Sequence, residues 1–462
     1  MKKNQFKILT GAILIFALFL GSCEKWIDPD INVSENSPSD VPLNLLLPST
    51  QAALFYVMGG DHSRSPSIWM QHQAGVDRQA AAFEVFIYNE SDCNNLFNTM
   101  TATVMKNLEV MRRKAVELNS AHYEGVVNVL VAYTLGEMTD IWGDVPYYEA
   151  FQADITGNLS PKYDAQQQLY AAMDSMLVVA IAKLQETSPL TPTETADLVF
   201  KGDKVKWRKL AWTLRLRYAM NAAKRSGYPA ATAIMNNANA LFMADNADDF
   251  QFKFGSAGGQ RGPRYNFEVS RGDIRASATL VNMMNATDDP RRPAYFTQVG
   301  GEYVGSAPGQ LLTGASRMGP FYGAADAVVP TVTYVEYLFM RAELKFRNND
   351  LIGAAADYNA AVTASLAKHG VTDTEWLAVN AAETDATITL AKIMTGKYVG
   401  LYLQTQVWSD WRRTGIPALS LPAGNVEAAT PRRFPYPLAE RLYNENYISG
   451  LTLLDRVWWD AP

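Results

Sequence analysis

The residue whose neighbours most clearly indicate covalent chemistry is Cys23, which directly follows Leu20, Gly21 and Ser22. Small residues before a cysteine suit cleavage of the chain at that point, and lipid can then be attached to the sulfur and to the new amino group. A covalently attached lipid holds a protein at a membrane surface without a spanning helix. The pattern therefore predicts lipidation at Cys23.

The residues before Cys23 have the three parts of an export signal. Three lysines lie near the start, and residues 8–20 are apolar but fewer than the roughly 20 residues that span a membrane. This arrangement resembles a bacterial lipoprotein signal with its lipobox. We predict that residues 1–22 are removed and that residues 23–42, rich in Pro, Asp, Asn and Ser, form a tether. The alternative is an ordinary secretory signal with a chance cysteine.

Patterns that support catalysis or metal binding are poorly matched. The four histidines include no pair at the i, i+4 spacing with a glutamate, which zinc hydrolases use. Gly314-Ala315-Ser316 lacks the strand and final glycine of a nucleophile elbow, and residues 245–256 lack the glycine and glutamate of a calcium loop. We expect no catalytic residue, metal site or cofactor. A pair of catalytic carboxylates, as glycoside hydrolases use, is an alternative that the sequence leaves open, since Asp and Glu are abundant.

The charge of the chain argues against nucleic acid as a partner. The formal net charge is −6, and the mature chain would be three charges more negative because the leader carries three lysines. A phosphate backbone calls for a clustered basic face, and an anionic lipid surface calls for a polybasic segment. Membrane contact must then come from the lipid. With Cys23 acylated, Cys93 has no disulfide partner and is predicted to be a small buried side chain.

Helical periodicity dominates from Val41 onward, and strand signals are sparse. Residues 250–254 alternate in a way that allows local strand pairing. These patterns predict a mainly α fold in one domain, residues 43–462, with helices near 43–58, 94–118, 122–140, 163–186, 204–226, 229–243, 276–286, 331–347, 351–368 and 386–408.

The predicted helix pair at 331–368 carries the spacing of a tetratricopeptide unit. Ala342, Ala354 and Ala361 are the small residues that let two antiparallel helices approach, and Tyr358 fills the gap toward the next helix. Trp207 begins a second, partial match. We predict tetratricopeptide-like helix pairs that form an α-α superhelical scaffold, although alanine-rich helices can match this spacing by chance.

Two long segments, residues 59–93 and 255–329, lack helical periodicity, and loops of that length usually have a function. Their aromatic rings can stack on the C–H face of a sugar, and their polar side chains can bond to its hydroxyls. The alternative for each residue is that it anchors its own loop. The predicted ligand-binding residues are Trp69, His72, Arg78, Tyr88, Asn89, Arg264, Tyr265, Tyr303, Phe321 and Tyr322, with Phe86 a further aromatic of the same kind.

Several motifs follow one another in an order that resembles a known family. They are Trp142-Gly143-Asp144-Val145-Pro146-Tyr147, Gly202-Asp203, Lys206-Trp207, Leu214-Arg215-Leu216-Arg217-Tyr218, Tyr334, Glu336, Arg341-Ala342-Glu343, Trp408-Ser409-Asp410-Trp411-Arg412-Arg413-Thr414-Gly415, Arg433-Phe434-Pro435-Tyr436-Pro437 and Trp458-Trp459-Asp460. Together with the lipobox, they resemble the SusD/RagB outer-membrane lipoproteins, especially the SusD-like branch. We interpret Trp408, Trp411, Arg412 and Arg413 as residues of the fold rather than of a ligand site.

The resemblance implies a lipidated, surface-exposed protein of the outer membrane that sits over a SusC-type TonB-dependent transporter. Such proteins capture glycans, and in some members peptides, without catalytic activity of their own. We therefore expect an oligosaccharide-binding protein that passes its ligand to that transporter. A peptide-binding member, a surface glycoside hydrolase and a scaffold without a small ligand are the alternatives.

Overall fold

The computed structural model describes residues 41–462. The predicted signal 1–22, the lipidation site Cys23 and nearly all of the tether 23–42 lie outside the described residues. Within 41–462, no helix combines the length and the apolar composition that crossing a bilayer requires.

Helices make up most of the described chain, which confirms the mainly α prediction. The longer ones are α1 (Leu43–Val57), α2 (Lys106–Glu117), α3 (Ala121–Trp142), α4 (Gln166–Lys183), α5 (Lys204–Ser226), α6 (Tyr334–Arg347), α7 (Leu351–Lys368), α8 (Leu390–Gly400) and α9 (Gln406–Thr414). The shorter helices are Ser63–Trp69, Arg78–Glu84, Asn94–Asn98, Ala153–Thr156, Pro229–Met235, Pro263–Ser270, Ala278–Asn285, Arg292–Tyr295, Pro320–Gly323, Thr374–Asn380 and Leu438–Tyr443, with π-helical turns at Met58–His62 and Thr99–Met105 and 3₁₀ turns at Glu90–Cys93 and Asn246–Asp248.

Helix α3 lies at the centre of the fold. All of its residues except Glu124 and Glu137 are buried, as expected of a helix that is apolar on every side. The hydroxyl of Ser120 accepts a hydrogen bond from the Tyr123 amide at its start, and the helix ends at Gly143, whose φ of 84° favours glycine. Helices α2 and α4 pack on α3, and α5 packs on α4.

The tetratricopeptide-like pair is formed by α6 and α7 as predicted. Ala342, Ala354 and Ala361 are buried between the two helices. The Tyr358 ring contacts Phe339 edge to face and reaches α8, where a Cβ on Gly396 would lie 2.9 Å from it. Small residues inside a hairpin and one ring against the next helix are how such units stack.

Two helical predictions and the two segments predicted to lack helical periodicity need correction. The helix expected over 229–243 ends at Met235, and the one expected over 386–408 is two helices, α8 and α9. The segments 59–93 and 255–329 contain several short helices. A helix of one or two turns is stabilised by tertiary contacts rather than by its own periodicity, so the sequence pattern does not show it.

Four short strands form two separate antiparallel pairs in the described chain. Strand β1 (Gln73–Gly75) pairs with β3 (Ile274–Ala276), so that Ala74 faces Arg275. Strand β2 (Phe250–Lys253) pairs with β4 (Val328–Val332), which confirms the local pairing expected at 250–254.

The last fifty residues contain little helix and wrap around the helical body. The Trp142 indole donates to the Pro435 carbonyl at 3.0 Å, and the Trp459 indole donates to Asp140 at 2.8 Å. The Arg412 guanidinium lies between the rings of Trp408 and Trp459, at 4.0 and 4.5 Å from their centres. Their burial confirms that the Trp408–Arg413 cluster belongs mainly to the fold, although Trp411 is only half-buried.

Candidate functional site

The two irregular segments meet on one side of the helical body. Pairing of β1 with β3 joins them through the backbone, and the Glu84 carboxylate joins them again. One Glu84 oxygen accepts from the Gly75 amide at 2.9 Å, and the other accepts from the Gly309 amide at 3.0 Å. Burial raises the pKa of Glu84 to about 7, although the two hydrogen bonds from the backbone amides lower it. The segments therefore form one surface.

A cleft opens where the segments adjoin, and we call it the inter-segment cleft. Its volume is about 370 Å³. It is lined by Asp61, Arg64, Ser65, Gln79, Phe83, Tyr88, Asp92, Asn95, Phe267, Ser270 and Arg271.

One wall of the inter-segment cleft combines a charge with an aromatic ring. Arg64 donates to Asp61 at 2.7 Å, and its guanidinium carbon lies 4.0 Å from the centre of the Phe267 ring. Phe267 is half-buried in the helix Pro263–Ser270. A guanidinium on an aromatic face keeps donors free at its edge, so this wall offers hydrogen-bond donors beside an apolar surface.

A second group of lining residues lies at and beside a 3₁₀ turn. The Asn89 side chain caps Glu90–Cys93, and Asp92 accepts from the Asn89 amide at 2.9 Å and from the Gln79 amide nitrogen at 3.0 Å. The side chain of Asn95 is exposed and makes no hydrogen bond to residues 41–462. Two side-chain amides and a carboxylate thus face the cleft from fixed backbone positions.

These groups suit a neutral polar ligand. Two carboxylates and two guanidinium groups are balanced in charge, and the amides can both donate and accept hydrogen bonds. No cluster of three potential metal ligands occurs in the described part of the chain. The acidic run near residue 245 is engaged otherwise, since Asp248 pairs with Lys209 and Asp249 pairs with Lys368, each at 2.7 Å.

Five predicted ligand residues are buried in the core, and the prediction that they contact a ligand directly is corrected for all of them except Tyr88, which borders the inter-segment cleft. They are Trp69, His72, Tyr88, Arg264 and Tyr322, and the further aromatic Phe86 is buried too. The Trp69 ring packs edge to face on Tyr88, Trp408 and Phe434, and the Tyr322 hydroxyl lies 2.9 Å from His369 Nε2. The irregular segments turn their large rings inward to cover the helical body.

His72 shows how completely such a residue is used internally. Its Nδ1 accepts from the Leu403 amide at 3.1 Å, so its Nε2 carries the proton and donates to the Tyr398 carbonyl at 3.0 Å. Burial lowers the pKa of His72 to about 3, which keeps the ring neutral. Arg264 likewise donates to the Leu403 carbonyl at 3.2 Å.

The other five predicted residues are more exposed but do not share one site. Arg78 pairs with the buried Asp273, and Asn89 caps the 3₁₀ turn. Tyr265, Tyr303 and Phe321 are half-buried against Arg261, Arg292 and His369, respectively. Of all ten, Tyr88 alone lines the inter-segment cleft.

The polar residues of the cleft were missed in the sequence. Nearly all of them lie inside the two segments that were singled out, but the prediction followed aromatic residues. The signal that points to them is the alternation of polar residues with those rings, as in Arg64, Gln79, Asp92 and Asn95.

Several solved structures share this fold. A SusD/RagB family protein from Bacteroides thetaiotaomicron has 23% identity and a TM-score of 0.75, covering 91% of this chain and 99% of its own. A chitin-binding SusD homologue from Flavobacterium johnsoniae has 22% identity and a TM-score of 0.76, covering 91% and 98%. A SusD homologue from Bacteroides uniformis has 23% identity and a TM-score of 0.76, covering 92% and 100%.

The sequence itself gives the family. No curated protein matches the chain significantly. The family model SusD-like_2, described as starch-binding and associating with the outer membrane, matches residues 35–437, which include the helical body, both irregular segments and most of the motifs in the predicted order. The chain belongs to the SusD-like family.

Proposed function

We propose that this protein is a lipid-anchored outer-membrane protein that binds an oligosaccharide in the inter-segment cleft. The observation that carries the proposal is the match to a starch-binding family over residues 35–437. The chitin-binding homologue with the same fold supports a glycan as the ligand class.

The cleft groups support the same ligand class. The Gln79 and Asn95 amides, the Asp92 carboxylate and the Arg64 guanidinium match the donors and acceptors of sugar hydroxyls, and Phe267 adds an apolar face. Because the cleft is open to solvent, modest affinity is expected.

Delivery to a partner completes the proposal. Lipidation at Cys23 places the protein on the outer membrane and exposes it at the cell surface, and a SusC-type TonB-dependent transporter receives the captured glycan. The protein itself leaves the glycan intact. A peptide as the ligand is the competing proposal within the same family.

Calorimetry against starch-derived, chitin-derived and other oligosaccharides, with oligopeptides in parallel, tests the ligand class. The double variant Gln79→Ala/Asn95→Ala should weaken glycan binding by roughly tenfold, since each hydrogen bond contributes about 0.5–1.5 kcal/mol. The matched control is Gln168→Ala/Asn98→Ala, which removes two exposed amides outside the cleft. Binding of peptides alone, or release of shortened sugars, would contradict the proposal.

Labelling with a fatty-acid analogue tests the anchor. The wild-type protein should be labelled in bacteria and the Cys23→Ala variant should not. Protease added to whole cells should degrade the labelled protein, and crosslinking should capture a TonB-dependent transporter. An unlabelled or protected protein would exclude surface anchoring.

A further inference from the structure

A second cleft opens just before the helix Pro263–Ser270 and differs in charge from the inter-segment cleft. Its volume is about 460 Å³. We call it the basic cleft, and its lining comprises Ala52, Tyr56, Leu198, Lys201, Phe252, Lys253, Phe254, Gly255, Gly259, Gln260 and Arg261.

Strand β2 explains how cations and rings come to share this cleft. Alternation along the strand turns Phe252 and Phe254 inward and leaves Lys253 exposed. The chain then runs through a glycine-rich loop to Arg261, whose Nε donates to the Ser256 carbonyl at 3.1 Å. The Arg261 guanidinium also lies 5.6 Å from the centre of the Tyr265 ring, and these two contacts orient the exposed side chain.

The cations of the basic cleft have no counter-charge. Lys201, Lys253 and Arg261 form no ion pair with any residue of 41–462, and no Asp or Glu lines the cleft. A cleft lined by one sign of charge concentrates its field and attracts an opposite charge. In a chain with a net charge of −6, this concentration of unpaired cations distinguishes the cleft from its surroundings.

Tyr56 provides a flat surface beside these cations. Its side chain is 47% exposed, and its ring contacts Phe254 edge to face at 6.3 Å. The Asn266 amide nitrogen lies 3.5 Å from the Tyr56 hydroxyl, which restricts the ring further. A fixed ring bordered by cations matches a sugar that carries an anionic group.

We propose that the basic cleft binds an anionic saccharide unit, in which Tyr56 stacks on the sugar ring and Lys201, Lys253 and Arg261 meet a carboxylate or a sulfate. This inference rests on the proposed glycan function for the ligand class, and it adds a second site and a charge preference.

Calorimetry with the purified protein at low salt, about 20 mM, tests the inference. The probes are a tetragalacturonate, its neutral methyl ester and a sulfated tetrasaccharide, so that carboxylate and sulfate are distinguished. The triple variant Lys201→Gln/Lys253→Gln/Arg261→Gln should bind the anionic probe roughly tenfold more weakly, with no change for the neutral ester. The control Lys162→Gln/Lys392→Gln/Arg441→Gln removes the same charge from other exposed positions and should bind like wild type.

Three other results would each overturn a defined part of the proposal. If neutral glycans bind but the anionic probes are not bound or do not depend on the three cations, the basic cleft is not a saccharide site. An acidic oligopeptide that binds with the same dependence, while anionic sugars do not, replaces the ligand class. If no saccharide of any charge binds, the proposed glycan function fails as well.

Discussion

Arg217 in α5 and Glu336 in α6 form a buried ion pair that ties two helices of the body together. The guanidinium Nε donates to Glu336 at 2.7 Å, and a second nitrogen donates to the other carboxylate oxygen. The Thr331 carbonyl accepts from the same guanidinium at 2.7 Å, and Glu137 lies 3.2 Å from it. A charge pair without access to water needs this complete set of partners.

Removing the charge of Glu336 should therefore destabilise the fold strongly. We expect Glu336→Gln to lower the free energy of unfolding by about 3 kcal/mol, because Arg217 keeps its charge in the core without its main partner. Urea unfolding measures this change. The control is Glu149→Gln, whose exposed pair with Lys162 is screened by water, so this variant should leave the free energy of unfolding nearly unchanged. Equal effects of the two variants would contradict the burial argument.

Buried histidines should make the protein sensitive to acid. Burial lowers the pKa of His369 to about 3, while in the unfolded chain it titrates near 6.5. Below pH 6.5 the unfolded chain therefore binds a proton that the folded chain excludes, and stability falls by about 1.4 kcal/mol per pH unit from this one group. His62, with a pKa lowered to about 4, acts in the same direction.

Two buried glutamates change the stability with pH in the opposite direction. The contribution of His369 is therefore measured by comparing the variant His369→Gln with wild type. Burial raises the pKa of Glu84 to about 7 and of Glu137 to about 8, and these groups lose stability as the pH rises from about 4.5 toward those values. Urea unfolding between pH 5 and 6.5 measures how the free energy of unfolding falls as the pH is lowered. This fall should be less steep for His369→Gln than for wild type, by the amount that corresponds to one proton. Parallel pH profiles would show that His369 does not contribute.

The end of β1, where the chain turns toward the helix Arg78–Glu84, should not tolerate a side chain at Gly75. A Cβ there would lie 1.8 Å from the Ala80 carbonyl oxygen, in backbone that cannot yield easily. We expect Gly75→Ala to destabilise the protein by about 1–3 kcal/mol and to weaken glycan binding, because the same turn positions Gln79. Gly258→Ala is the control, since a Cβ there meets nothing within 4 Å. Unchanged unfolding of Gly75→Ala would contradict this account.

Replacing Trp69 should reduce the stability of the fold rather than remove a direct contact with the glycan. Its side chain is 1% exposed and packs among three rings, so Trp69→Ala should lower the free energy of unfolding by about 3–5 kcal/mol. Thermal unfolding and calorimetry of the same sample separate stability from affinity. Tyr443→Ala, at a ring that is 79% exposed, should leave unfolding nearly unchanged. A stable Trp69 variant that had lost only glycan binding would restore the original prediction.

The helical body could be predicted because its sequence signals are local. Periodicity located α5 and α7 at their observed bounds, and the alanine spacing identified the pair α6 and α7. Motifs such as Leu214–Tyr218 were recognisable because buried ion pairs and capped helices demand particular residues. Their chemistry belongs to the fold, as the Arg217 contacts show.

The candidate site was harder to predict because its contacts are long-range. Whether Trp69 or Phe267 faces solvent depends on which partner covers it, and Trp408 and Phe434 are more than 300 residues away from Trp69. The sequence singled out two segments that pair with each other in the structure, but it did not show which side of each segment is covered. Aromatic content therefore singled out the two segments, but most of the residues chosen with it are buried or lie outside the inter-segment cleft.

The join between β1 and β3 has a consequence for how this surface can change. The hydrogen bonds between the two strands join backbone amide and carbonyl groups, so they form with most side chains. Glu84 also accepts its hydrogen bonds from backbone amides, those of Gly75 and Gly309. Mutations at neighbouring positions can therefore alter what the protein recognises while the framework stays intact. Substitution of a few exposed residues is therefore enough to change the ligand specificity of such a protein.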